Sequence, residues 1–277
     1  MLSAIGQPPL FAFNHLRALP PWNGQSKCHS YPAGAPADGT TIYLTLTVPY
    51  SMLPAMTKKP LPYDPAAYTS VAVVAESALG FAVPATSPFK TLRELFDAAK
   101  ASPGKYTYGS SGATGIPNLT MELIKAELGA EMLQIPYQGG APAAQAAAAG
   151  QVDLILESPS VSAALVQGGR LRILAISGTQ KLAAMPNVPT FAAAGYPQIE
   201  IPPIWFGFVG PAKMPRAIAA LLNEAITAEM QTPEMAKTMA GLGLFIKTGG
   251  VDDMGRMIES DKRVWGNLIH KLGITMD

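Results

Sequence analysis

An α/β fold divided between two domains is what this sequence predicts, and three observations carry the prediction. Residues 105–176 alternate short apolar strands with short helices, the pattern of βαβ crossovers and of a mostly parallel sheet covered by helices. The length of 277 residues allows two units with real cores, at about 150 residues per domain. The segments before residue 103 and after residue 203 do not extend that series and fit together as one further unit, so the chain is expected to cross twice between domains. The expected division is an atypical N-terminal segment over 1–34, a first domain from 35–102 and 204–277, and a second domain over 103–203.

Each element has its own local reason. Thr40 to Leu46 is rich in β-branched and aromatic side chains and reads as a strand; Pro49, Pro54, Pro60, Pro62 and Pro65 then bar a continuous helix. Val71 to Ala75 and Leu79 to Val83 read as two more strands. Thr91 opens a helix with a capping box completed by Glu94, Leu92, Leu95 and Phe96 form its apolar face, and Ser102-Pro103-Gly104 stops it. Strands at Lys105 to Tyr108, Met132 to Ile135, Val152 to Leu156 and Leu171 to Ile176 alternate with helices at Asn118 to Leu128, Pro142 to Ala149 and Ser160 to Val166, which end at Gly129, Gly150 and Gly168. Pro189 to Gly195 reads as a short helix and Ile201 to Val209 as a crossing strand with Trp205 and Phe206 as core. The tail gives a helix from Pro215 to Met230, a second one capped by Thr232 with Pro233 at its first position, a strand at Leu244 to Lys247, and an amphipathic helix from Met254 to Leu272.

Composition excludes several classes. Hydrophobic residues make up 48% and charged residues 14%, which rules out disorder driven by charge. Twenty Lys and Arg against 19 acidic residues, a net charge of +1, give no electrostatic basis for binding nucleic acid. The single cysteine, Cys28, excludes an intrachain disulfide, and no local motif activates it. His15, His29 and His270 show no paired ligand spacing, so neither metal nor cofactor is expected. The first basic residue, Arg17, follows the early apolar stretch, so no signal peptide is visible, and no run of 18 apolar residues predicts a transmembrane helix.

The densest chemical feature is Tyr108 to Asn118, where a strand end runs through Gly109, Gly112 and Gly115 and the hydroxyls of Ser110, Ser111 and Thr114 into a helix start. Backbone N–H groups in such a turn, beside a positive helix terminus, bind a carboxylate or phosphate without formal charge. Pro136-Tyr137-Gln138-Gly139-Gly140 repeats the arrangement, and Glu157-Ser158-Pro159 follows the next strand. In open parallel sheets the ligand crevice lies at the carboxyl ends of the strands, so three consecutive loops of this kind point to one pocket. Glu157 is the one acidic group among them and suits either a ligand amine or a capping role.

Nucleotide motifs fail on spacing: the glycines form G-x-x-G-x-x-G, and no P-loop occurs. A serine hydrolase is the alternative, since Gly109-Ser110-Ser111-Gly112-Ala113 misses G-x-S-x-G only at its last position, with Ser111 as nucleophile and Asp153 and His270 following in hydrolase order. Against it, His270 lies inside an amphipathic helix and no HGGG-like oxyanion segment is present.

Read in order, a set of motifs resembles the substrate-binding receptors of tripartite tricarboxylate transporters, the Bug-type solute receptors. They are Ala37-Asp38-Gly39-Thr40-Thr41, Leu61-Pro62-Tyr63-Asp64-Pro65, Tyr108-Gly109-Ser110-Ser111-Gly112, Pro136-Tyr137-Gln138-Gly139, Gly150-Gln151-Val152-Asp153, Gly169-Arg170-Leu171-Arg172, Pro186-Asn187-Val188-Pro189-Thr190-Phe191 and Trp205-Phe206-Gly207, spread over residues 36–277. The resemblance implies a two-domain periplasmic-binding-protein (Venus flytrap) architecture without catalysis. It also implies a small carboxylate or amino-acid ligand in the interdomain cleft, a periplasmic location, and membrane subunits of the transporter as partners. The matching binding positions are Thr47, Ser110, Ser111, Gly112, Tyr137, Gln138 and Ser158, and Thr114 of the same serine-glycine loop is counted with them as ligand-binding.

Two departures stand out. Thr114, Gly115 and Asn118 replace the glycine, small hydroxyl and histidine usual in the family, so selectivity is expected to differ. Residues 1–34 lack the family's opening strand and P-F-x-A-G-G loop, so the first domain is expected to be incomplete at its N-terminus.

Overall fold

A computed structural model of the chain describes residues 35–61, 63–112 and 115–275. The expectations for residues 1–34, with Cys28, His15 and His29, and for Thr114, lie outside the described residues. The elements in chain order are β1 (Tyr43–Leu46), α1 (Val48–Ser51), α2 (Leu53–Met56), β2 (Tyr68–Ser77), β3 (Gly80–Pro84), α3 (Leu92–Ala101), β4 (Thr107–Ser110), α4 (Ile116–Leu128), β5 (Leu133–Pro136), α5 (Gly140–Ala148), β6 (Leu154–Glu157), α6 (Pro159–Gln167) and β7 (Leu171–Ile176). They continue with β8 (Ile204–Pro211), α7 (Arg216–Met230), α8 (Pro233–Gly241), β9 (Leu244–Gly249), α9 (Asp253–Asp261), a π turn (Lys262–Gly266) and α10 (Asn267–Leu272).

Two sheets result. The first has the order β1-β8-β2-β9 and the second β5-β4-β6-β3-β7. Parallel pairing occurs where strand and helix alternate, between β4 and both β5 and β6. The strands reached by the crossing chain pair antiparallel: β8 with β1 and β2, β9 with β2, and β3 with β6 and β7. β3 therefore lies in the second sheet, and the span 35–102 is shared between the sheets at Ser77–Gly80.

Val71 to Ala75 of β2 are all buried because both faces of this strand are covered. Val71 and Val74 pack with Ala219 and Leu222 of α7, while Val73 packs with Trp205, Val209 and Met254. In the second unit, Phe81 of β3 meets Phe191 at a ring-centroid distance of 5.1 Å, and Phe96 of α3 meets Tyr196 at 5.4 Å. Full burial of such a side chain contributes about 1.5–3 kcal/mol, so this cluster anchors α3 to the second sheet. Met52 and Met56 from the chain after β1, and Trp265, Leu268 and Ile269 from the C-terminal helices, join the same core.

The capping box of α3 is formed: Thr91 Oγ1 accepts from Glu94 N at 3.2 Å while Glu94 Oε2 accepts from Thr91 N at 3.3 Å. Thr232 Oγ1 likewise caps α8 by accepting from Met235 N at 3.2 Å. The segment Pro189 to Gly195 forms turns instead of the expected helix. Its backbone is used elsewhere: Phe191 N donates to Ile176 O at 2.8 Å, which extends the edge at β7 and carries the Phe191 ring into the core. The terminal helix is interrupted by the π turn, whose extra residue brings Trp265 inward, a shift that a 3.6-residue period does not reveal.

Candidate functional site

The register of the parallel strands gathers the predicted loops on one rim. Ser110 pairs with Pro136, and Gly109 pairs with both Ile135 and Ile155, so the loops after β4, β5 and β6 leave the second sheet at one edge. The first sheet brings its own rim there, where Leu46 pairs with Phe206 and Ser77 with Ile204. The two rims meet at Ser77–Gly80. Ser77 Oγ lies 3.0 Å from Ser158 Oγ, while Leu79 N donates to Ser177 Oγ at 2.7 Å.

Ser110 is buried and serves the loop itself. Its hydroxyl donates to Gly112 O at 2.8 Å and accepts from Gln134 Nε2 at 2.9 Å, and Gln134 Nε2 also donates to Gly112 O at 3.0 Å. Tyr137 N donates to Ser110 O at 2.9 Å, which joins the second loop to the first. Gln134 was not among the expected site residues; its only sequence signal is a polar amide in the apolar strand β5.

Ser111 is half-buried and lies beside the carboxyl of Glu157. Glu157 is only 9% exposed, and burial pushes its pKa up against the opposing pull of the neighbouring Ser111. Its Oε1 accepts no hydrogen bond. Gly140 makes room for this group, since a Cβ there would stand 2.9 Å from Glu157 Oε2. Gln138 is exposed beside it, and Ser158 Oγ reaches Ser160 Oγ at 2.8 Å as well as Ser77. Thr47 sits on the rim of the first sheet, fully buried, and its Oγ1 accepts from Trp205 N at 3.2 Å.

The structure therefore links Ser110, Gly112 and Tyr137 by hydrogen bonds, with Ser111 between the first two in the chain and Glu157 beside it. Thr47 belongs to the opposite rim. No Lys or Arg occurs in 110–112, 137–140 or 157–158, so the loops offer neutral donors and one buried carboxyl.

The hydrolase triad does not assemble. Asp153 Oδ2 accepts from Thr107 N at 2.8 Å and from Thr107 Oγ1 at 3.0 Å, at the start of β4. Ser111 follows the other end of that strand, roughly 13 Å away at about 3.3 Å per residue. Ser111 lies beside the Glu157 carboxyl, and His270 is exposed on α10.

A family model described as the tripartite tricarboxylate transporter family receptor matches residues 29–274. The chain belongs to this family of solute-binding receptors. A protein of the tcbD-tcbE intergenic region of Pseudomonas sp. strain P51 is 29% identical over 242 residues, covering 86% of this chain and 70% of that protein. One from the gbd 5′ region of Cupriavidus necator is 34% identical over 204 residues, covering 73% of this chain and 61% of its own length. The solved structure of a periplasmic transporter is 30% identical with a TM-score of 0.81, covering 91% of this chain and 84% of that one. Rpa4515 of R. palustris, solved with adipate, is 27% identical with a TM-score of 0.81, covering 90% and 83%. The receptor architecture read from the motifs is thus the observed one, and nothing in these likenesses supports a hydrolase.

Proposed function

We propose that this protein is a non-catalytic periplasmic receptor that holds a small carboxylate or amino acid between its two sheets and presents it to the membrane subunits of a tripartite tricarboxylate transporter. The observation that carries this reading is the convergence of three consecutive βα loops, rich in uncharged donors, on the rim that faces the first sheet across Ser77–Gly80. Ser111, Gly112, Thr114, Tyr137, Gln138 and Ser158 are assigned to the ligand, while Ser110 holds its loop from behind and Thr47 holds the opposite rim. The adipate bound by the similar Rpa4515 supports a carboxylate ligand.

The test is a thermal-shift panel of dicarboxylates, tricarboxylates, aromatic acids and amino acids. A true ligand at a hundredfold excess over Kd stabilises the fold by about 2.7 kcal/mol. A panel in which no compound moves the melting point contradicts the receptor reading.

A further inference from the structure

A groove of about 350 Å³ beside β7 and β9 has the size of a small-molecule pocket, and the receptor reading makes no use of it. Three segments build it: Glu76 and Phe245 from the first sheet, Ser177 and Phe191 from the end of β7 and the turns after it, and Glu200 with Ile201 from the connection back to β8. In the second sheet β7 stands three strands from β4, roughly 14 Å at about 4.8 Å per strand, so a small molecule seated here does not reach the serine-glycine loop. The lining carries two carboxyl groups, Glu76 and Glu200, and no Lys, Arg or His. The Glu76 side chain is 18% exposed, and among the described residues its carboxyl accepts no hydrogen bond. Lys247 approaches it only to 3.7 Å, beyond hydrogen-bond range, and is itself 54% exposed, a loose pair of the kind that contributes little. Ser177, 1% exposed, spends a lone pair on Leu79 N, and its own proton meets no acceptor among the described residues.

We infer that this groove is a binding site of its own, for a small organic amine whose apolar body carries a hydroxyl or carbonyl near the ammonium. The ammonium donates to the Glu76 carboxylate, a charge-assisted bond stronger than the loose contact with Lys247 that it replaces. The Ser177 hydroxyl donates to the ligand oxygen, which gives the buried proton the acceptor it lacks. Phe191, Phe245 and Ile201 cover the apolar body. An anion in the groove meets two like charges with no lining cation to offset them. A metal ion is not the better occupant, because among the described residues no three His, Cys, Asp or Glu side chains come together to hold one. Both sheets and the chain that joins them line the groove, so the bound amine touches each of them at once. The inference does not depend on which ligand the loops after β4, β5 and β6 hold.

The probes are phenylalaninol and leucinol, each titrated beside the alcohol that lacks only its amine, hydrocinnamyl alcohol and isohexanol, into the wild type, Glu76→Gln and Ala192→Phe. The wild type is expected to bind at least one amino alcohol about fivefold or more tighter than its counterpart, and Glu76→Gln to bring that ratio within about twofold. Ala192→Phe fills the groove from an exposed position and is expected to abolish binding of both members, so it answers the question even if Glu76→Gln fails to fold. Hydrogen exchange with the bound amino alcohol is expected to slow in 177–180 and 199–201 and to stay unchanged in 110–112. Binding of neither amino alcohol by the wild type at about 10 mM overturns the inference. So does a preference that survives in folded Glu76→Gln, binding that is unchanged in Ala192→Phe, or protection that appears at 110–112 instead. None of these results touches the receptor reading, which stands or falls on the acid panel.

Discussion

The indole N–H of Trp205 donates to Asp261 Oδ2 at 2.6 Å, with the two residues only 1% and 7% exposed. Because the Trp205 backbone N–H also donates to Thr47 Oγ1, one residue ties the end of β1, the start of β8 and the last residue of α9 together. The joint lies where the chain re-enters the first sheet from the second, behind the rim that faces the ligand loops.

Burial raises the Asp261 pKa from 3.8 to about 6, although the Trp205 hydrogen bond opposes the shift. A carboxyl with a raised folded-state pKa contributes stability that is fully present below pH 3.8 and lost as pH rises through about 6. Asp261→Asn keeps an acceptor for Trp205 and removes the titration. The stability of the wild type relative to this variant is therefore expected to fall, by on the order of 2 kcal/mol, between pH 4 and pH 7 in denaturant titrations. A difference that stays flat over this range contradicts the assignment.

Gly140→Ala places a methyl group 2.9 Å from Glu157 Oε2. Overpacking of this kind costs about 1–3 kcal/mol. In the background of Glu157→Ala the same change is expected to cost less, with only the 3.2 Å approach to Val161 Cγ1 remaining, so a double-mutant cycle should return a coupling of about 1 kcal/mol. Additive effects would mean that the glycine is needed for another reason.

Gln134→Leu removes both donations that brace the serine-glycine loop, to Ser110 Oγ and to Gly112 O. At about 1 kcal/mol per neutral hydrogen bond, binding of whichever panel compound stabilises the protein is expected to weaken five- to thirtyfold. Unchanged affinity would show that the loop is held without this amide.

Thr91→Ala serves as the contrast. It breaks the capping box of α3, with an expected loss of about 1 kcal/mol of stability and no change in ligand affinity, because α3 packs through Phe96 and Leu95 into the core and contributes no residue to the rim. A change in affinity larger than twofold would contradict that separation.

The features legible in the sequence were those written in local chemistry. Thr91 and Glu94 announced α3, Thr232 and Pro233 announced α8, and the glycines after β4 and β5 marked the loops that converge on the rim. Features that depend on distant pairing were not legible. Val71 to Ala75 and Leu79 to Val83 are separated by three residues and carry similar side chains, yet they enter different sheets because Phe81 finds Phe96 and Phe191 while Val73 finds Trp205 and Met254. Phe191 likewise draws its segment out of a helix. In the site, Ser110 and Ser111 are adjacent and chemically equal, but one is buried against Gln134 and the other turned to Glu157, a division fixed by β5 and β6 rather than by the loop's own sequence.

Whether a ligand is held between the two rims is read by mapping amide hydrogen exchange with and without a saturating concentration of the panel compound that stabilises the protein most. Slowed exchange is expected in 110–112, 137–140 and 157–161 of the second sheet's loops, together with 47–52 on the first. A groove of about 350 Å³, lined by Glu76, Ser177, Phe191, Ile201 and Phe245, lies beside β7 and β9, the outermost strands of the two sheets. Protection confined to that groove, with the serine-glycine loop unchanged, would mean that the ligand does not bind between the two rims.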